Sequence, residues 1–231
     1  MRLRLWKEFL DLIFPRTCLQ CGTGLYDHEQ AFCTVCEGTL PIASFHLRPF
    51  DNELTSKLQG LMPVNRVISF LRFSKKGKSQ VLLHKLKYRH KPEIGLELGR
   101  LFGLELLKTD YSGDWDLIVP VPLHPLKLKR RGYNQSEKFA TGLSKVLNIK
   151  SQEVLIRLKF TETQTKKSRL QRLENVSDVF QLAPRESVRD LRILLVDDVI
   201  TTGATLISCA EMLLANGAKQ VDLATIAAGG K

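Results

Sequence analysis

The thirteen residues Ile193-Leu-Leu-Val-Asp197-Asp198-Val-Ile-Thr201-Thr202-Gly203-Ala204-Thr205 set the architecture of this 231-residue chain. Ile193 to Val196 read as a buried strand that delivers two adjacent carboxylates to its C-terminal end, where open α/β sheets bind ligands. A turn of small residues then opens a helix running to Asn216, with Leu206, Cys209, Leu213 and Leu214 on one face and Gly217 as its stop. Gly203 lets the backbone come close to a ligand. The turn amides and the helix N-terminus make an anion site, to which the hydroxyls of Thr201, Thr202 and Thr205 add donors. Carboxylates beside such a cradle repel a bare phosphate and suit a molecule that carries a hydroxyl-bearing sugar next to its phosphate.

Rival phosphate motifs fail on the residues. A P-loop needs a Gly-Lys-Ser or Gly-Lys-Thr step, and a dinucleotide fingerprint needs Gly-x-Gly-x-x-Gly; neither is here. A phosphoacceptor receiver, which also opens on a strand ending in two aspartates, needs four more strands after them, and the 33 residues that follow Asp198 are expected to be too few. An ordinary β–α turn that happens to be acidic is the plain alternative.

The same alternation of strand and helix extends upstream. Val67 to Phe73 and Asp116 to Val121 read as strands, with helices expected around Ser79–Tyr88, Glu93–Leu107 and Asn134–Asn148, and Val221–Ala227 is a last strand. Strands alternating with helices from residue 64 onward mean an α/β fold with a mainly parallel sheet.

A different pattern precedes it. Cys18-x-x-Cys21 and Cys33-x-x-Cys36 form two knuckles separated by eleven residues, and Gly22 suits the reversal after the first. Two residues between cysteines let both sulfurs of a tight turn face one centre, and two such turns complete a tetrahedral thiolate site. A closed four-cysteine site folds its module rather than catalysing. Structural Zn²⁺ is the expected metal; a four-thiolate iron site has the same spacing and stays open. Cys209, alone on a helix face, reads as a small buried hydrophobe. Three units follow: an amphipathic helix over 1–15, with Leu5, Phe9, Leu10 and Ile13 on one face; the four-cysteine module and linker over 16–62; and the α/β domain over 63–231.

Charge adds a partner class. Thirty-five Lys and Arg against 24 Asp and Glu give a formal charge of +11, and the excess lies entirely after residue 57. Such a surface attracts phosphate-bearing partners. From Arg72 to Lys91 there are eight basic residues and no carboxylate. This strip reads as a solvated helix face, or as a surface for a phosphate backbone separable from the 193–205 site. No stretch approaches the roughly 20 apolar residues of a membrane span, and Lys7, Glu8 and Asp11 interrupt the opening as a signal peptide, so the chain is expected in the cytoplasm.

The segment 193–205 resembles the phosphoribosyl pyrophosphate (PRPP) motif of type I phosphoribosyltransferases. The cysteine pairs, Val119-Pro-Val-Pro-Leu-His-Pro125, Lys129-Arg-Arg-Gly-Tyr-Asn-Gln135 and this motif together resemble the ComF family of competence proteins. The resemblance implies a type I phosphoribosyltransferase-like domain behind a small zinc-ribbon-like module. It implies that Asp197 and Asp198 receive the ribose hydroxyls, that Thr201, Thr202, Gly203, Ala204 and Thr205 wrap the 5′-phosphate, and that Mg²⁺ accompanies PRPP. Val119–Pro125 takes the place of the pyrophosphate loop, with His124, Lys127, Arg130 and Arg131 as candidate contacts. Arg157–Asn175, basic and hydroxyl-rich, takes the place of the flexible lid. The implied role is PRPP binding in support of single-stranded DNA uptake during natural transformation, with DNA and competence-machinery proteins as partners. The alternative is an active transferase passing the phosphoribosyl group to an unidentified small acceptor. No catalytic base is assigned.

Overall fold

A computed structural model describes residues 15–158 and 179–229. The helix expected over Met1–Pro15, but for its last residue, and the lid segment beyond Leu158 lie outside the described residues.

Four parallel strands form the sheet, in the order β1-β6-β5-β2: β1 (Val67–Arg72), β2 (Leu117–Pro120), β5 (Arg192–Ile200) and β6 (Gln220–Ala228). Both faces are covered, so the strands carry apolar residues on successive positions rather than alternating with polar ones. Ile193 and Leu195 pack with α2 (Glu53–Gln59) and α7 (Ala204–Ala215) on one face. Leu194 and Val196 pack on the other with α3 (Lys78–Tyr88), α4 (Glu93–Leu106) and α6 (Gln135–Leu147), together with Cys18, Phe32 and Cys36 of the cysteine segment. Before β1, Ile42 bridges Leu71 in antiparallel sense, and the 3₁₀ turn Ser44–Leu47 and α2 follow.

Helices α4 and α6 meet backbone to backbone. A Cβ on Gly99 would lie 2.3 Å from Phe139 O, and one on Gly142 would lie 2.2 Å from Leu96 O. Only glycines allow that approach, and it holds α6 hard against the sheet.

One connection decides where a ligand sits. After α6 the chain adds a short parallel bridge outside β2, where Ser151 pairs with Ile118. It then forms the antiparallel pair β3 (Leu155–Arg157) and β4 (Phe180–Leu182), and returns to β5 on the inner side of β2. The strand order therefore reverses between β2 and β5, and open α/β sheets bind ligands at such a switch point.

Candidate functional site

Pro120 pairs with Val196, and the Val121 amide donates to Val196 O at 2.9 Å, so the end of β2 lies beside the Asp197–Asp198 pair. Asn134 caps α6: its Oδ1 accepts from the Ser136 amide at 3.1 Å, and its amide donates to Val121 O at 3.0 Å. The first turn of α6 is thereby tied to the end of β2. Ser136 Oγ then donates to Asp197 Oδ1 at 2.8 Å, and the Asp198 amide donates to the same oxygen at 2.8 Å. Burial and the neighbouring Asp198 charge nonetheless push the Asp197 carboxyl up to about 7.

The turn after β5 has the expected geometry. Gly203 sits at φ 84°, in the left-handed region, and caps α7 (Ala204–Ala215). That conformation favours glycine, and a Cβ there would lie 2.5 Å from Leu58 Cδ2, so any larger residue would also have to displace the end of the Leu58 side chain. Thr201 and Thr202 are exposed, while Ala204 and Thr205 are partly buried at the start of the helix. From α2, Lys57 Nζ donates to Thr201 O and fixes the turn against that helix.

Cations gather opposite the carboxylates. Helix α5 (Pro125–Arg131) follows β2 and carries Lys127, Arg130 and Arg131. Burial first, then Arg157, Arg131, Arg130 and Lys87, lower the proton affinity of Lys127, so these five charges share one region. Arg157, at the end of β3, is half-buried over the Phe180 ring and feels the Asp197 charge. Arg131 donates to Gln135 Oε1 at 2.6 Å and lies over the Tyr88 ring. His124 has a different place. It is buried at the N-cap of α5, where Nδ1 accepts from the Leu126 amide at 3.2 Å. The pair His124-Pro125, a cap followed by proline at the first helical position, carries that signal in the sequence.

The basic strip Arg72–Lys91 divides. Its centre is α3, and two of its cations face inward. Lys85 Nζ donates to Leu19 O and Gln20 O, both at 2.9 Å, and so caps the first cysteine knuckle. Lys87 Nζ lies 2.9 Å from Asp198 Oδ2. The expected separation of this strip from the 193–205 site therefore fails at Lys87. Positions two apart on a helix point in nearly opposite directions, which is how one helix reaches both features. The exposed cations that remain stand at the two ends of the helix: Arg72, Lys75 and Lys76 before it, Arg89 and Lys91 after it.

The four cysteines converge. Their sulfurs all lie within 4.8 Å of one another, and none is in a disulfide. A tetrahedral site with Zn–S bonds of about 2.3 Å has sulfur–sulfur edges of about 3.8 Å, and Cys21 Sγ and Cys33 Sγ are 3.8 Å apart. The Cys33 amide points at Cys18 Sγ at 3.3 Å, as amides do around thiolate centres. Hydrogen bonds from Thr23 pull the Cys21 thiol down to about 6, while burial pushes Cys36 up to about 12. The donor set fits one metal ion, with all four positions filled by protein. Cys209, fully buried, stays apart from it.

Comparison with known proteins agrees with this geometry. A family model described as the phosphoribosyl transferase domain matches residues 133–231. A DNA utilization protein, YhgH, from Escherichia coli is 30% identical over 228 residues, covering 92% of this chain and 96% of the relative. The chain belongs to the ComF family. Competence protein F from Haemophilus influenzae is 32% identical over 62% of this chain and 65% of its own length. ComFC from Bacillus subtilis is 32% identical over 58% of this chain and 53% of its own length. Among solved structures, a purine phosphoribosyltransferase from Pyrococcus horikoshii aligns with 58% of this chain and 73% of its own, at 23% identity and a TM-score of 0.38. This ComF-family chain joins a four-cysteine segment that can hold a metal to a phosphoribosyltransferase domain. No helix among the described residues is long and apolar enough to cross a membrane.

Proposed function

We propose that the chain binds PRPP at the β2–β5 switch point and serves DNA uptake. The observation that carries this reading is the meeting, at the carboxyl ends of the strands, of the Asp197–Asp198 pair, the Gly203 turn and the cations around Lys127. A sugar hydroxyl pair suits the carboxylates, a terminal phosphate suits the turn amides, and a diphosphate needs several cations. In this reading Asp197 and Asp198 hold the ribose hydroxyls, Thr201 to Thr205 wrap the 5′-phosphate, and Lys127, Arg130 and Arg131 face the diphosphate. His124 supports that loop as a helix cap. Mg²⁺, when bound, neutralises diphosphate charge; carboxylate oxygens are the hard donors it prefers, and Asp198 already accepts a cation in the form of Lys87. Zn²⁺ on Cys18, Cys21, Cys33 and Cys36 folds the amino-terminal segment. The names of the relatives, DNA utilization protein and competence protein, support a role that involves DNA and competence; we extend it to the uptake of single-stranded DNA, handled in the cytoplasm.

The second reading is turnover. Breaking the bond at C1 demands a stabilised leaving diphosphate more than a strong base. The cation cluster favours that step. Purified protein incubated with Mg²⁺ and PRPP should raise its melting temperature, because a ligand of the folded state stabilises it by mass action. Pyrophosphate release, assayed against a panel of nucleobases and amines, separates the readings. Release stimulated by an acceptor makes the protein a transferase, stabilisation without release makes it a PRPP-binding protein, and the absence of both effects refutes the proposal.

A further inference from the structure

The last turn of α3 touches a different part of the molecule at every residue. Lys85 holds the knuckle carbonyls of Leu19 and Gln20, and Leu86 is fully buried, with its carbonyl accepting from the Tyr133 hydroxyl. Lys87 pairs with Asp198, and Tyr88 lies 5.4 Å from the Arg131 guanidinium. A turn fixed on both sides presents Lys87 from a rigid frame. The Lys87 side chain is 24% exposed and that of Asp198 15%, so the pair lines the site rather than the outer surface. Lys87 also stands close enough to Lys127 for the two charges to oppose each other. It therefore neighbours both the carboxylate pair and the cations of α5, where a sugar held by the one would meet a diphosphate held by the other.

We propose that Lys87 is a ligand-binding residue of this site, held on Asp198 in the free protein and transferred to the diphosphate of PRPP when the ligand binds. The proposal rests on the PRPP reading above. A lysine suits such an exchange, because its compact ammonium rides on a flexible four-carbon stem and makes no fixed bidentate pair. The exchange releases Asp198 for the ribose and puts an anion between Lys87 and Lys127, removing their repulsion. Residues ahead of the phosphoribosyl transferase match, which begins at residue 133, thereby contribute to the site.

The test is calorimetric titration of the full-length parent, K87M and K87R with PRPP, inorganic pyrophosphate and ribose 5-phosphate, each with Mg²⁺, at two salt concentrations. K87M should lose about 10-fold or more in affinity for PRPP and pyrophosphate, the scale of a lost charge-assisted hydrogen bond. Ribose 5-phosphate should change less than about 2-fold by the same scale, because it lacks the diphosphate. The salt dependence of PRPP binding should become shallower in K87M, a change that a merely structural lysine would not produce, and K87R should recover part of the loss. Zinc content and unliganded melting temperature report folding; if K87M fails them, K87Q makes the same comparison. A parent that binds PRPP while K87M and K87Q bind it equally well overturns this inference alone. An equal loss on ribose 5-phosphate also overturns it, by reducing Lys87 to an organiser of Asp198. A parent that binds none of the three ligands overturns the PRPP reading and this inference together.

Discussion

Replacing Gly203 with alanine should strike stability and ligand binding at once. Two costs can be worked out separately. Gly203 sits at φ 84°, where an L-residue costs about 1–2 kcal/mol. The new Cβ would also meet Leu58 Cδ2 at 2.5 Å, and Leu58 is fully buried, so the methyl cannot swing into solvent. Overpacking of this kind costs about 1–3 kcal/mol. The sum of about 2–5 kcal/mol corresponds to roughly 4–20 °C in melting temperature for a domain of this size. The strain falls on the turn that would wrap the phosphate, so the PRPP-induced shift should shrink as well. A cycle with Leu58→Ala isolates the clash: the double variant should be more stable than the two single losses added together predict, by about 1 kcal/mol or more. Thermal unfolding of the four proteins, with and without PRPP and Mg²⁺, reads all of this. A G203A protein that melts within about 1 °C of the parent would refute the close approach of the turn to α2, and strict additivity in the cycle would refute the clash.

Three shorter predictions follow from other parts of the site. Asp197 has its carboxyl pushed above the ordinary range, so its ionisation costs stability as pH rises from about 4 toward about 7, and the cost stays constant above that. Asp197→Asn should therefore melt higher than the parent at pH 8, with the gap closing toward pH 5; a gap independent of pH contradicts the burial argument. Cys33→Ser should lose the bound metal, measured by elemental analysis, with zinc near one per chain in the parent and zinc affinity falling as pH drops and thiolates take up protons. A parent free of both zinc and iron sinks the metal site. Arg89→Gln with Lys91→Gln should weaken single-strand DNA binding and reduce its salt slope by about 1.4, while PRPP affinity stays nearly constant. A parent that fails to bind single strands at low salt would move any role in DNA uptake onto a partner protein.

The features visible in the sequence are those whose chemistry is local. The carboxylate pair and Gly203 lie within thirteen consecutive residues, and each knuckle spans four; the strand legible as Ile193–Val196 runs on to Ile200 beside β6 and carries both carboxylates within it. The pieces that escape the sequence are long-range. Ser136 finds Asp197 from 61 positions away, because α6 starts where β2 ends. Lys87 looks like one more charge in a basic run, and only the packing of α3 between the cysteine segment and the sheet turns it toward Asp198. The parallel bridge at Ser151, which creates the switch point beside β2, is too short to leave a hydrophobic pattern. His124 has a structural role that a histidine in a basic loop does not announce: its Nδ1 caps α5.

The central claim is that the Asp197–Asp198 pair receives the ribose of PRPP. Calorimetric titration of PRPP with Mg²⁺ into the parent and into Asp197→Asn/Asp198→Asn, at matched zinc content, tests it most directly. Saturable binding near one ligand per chain in the parent, weakened by about 100-fold or more in the double variant as two charge-assisted contacts are lost, is the predicted result. Equal affinity of the two proteins for PRPP would contradict it.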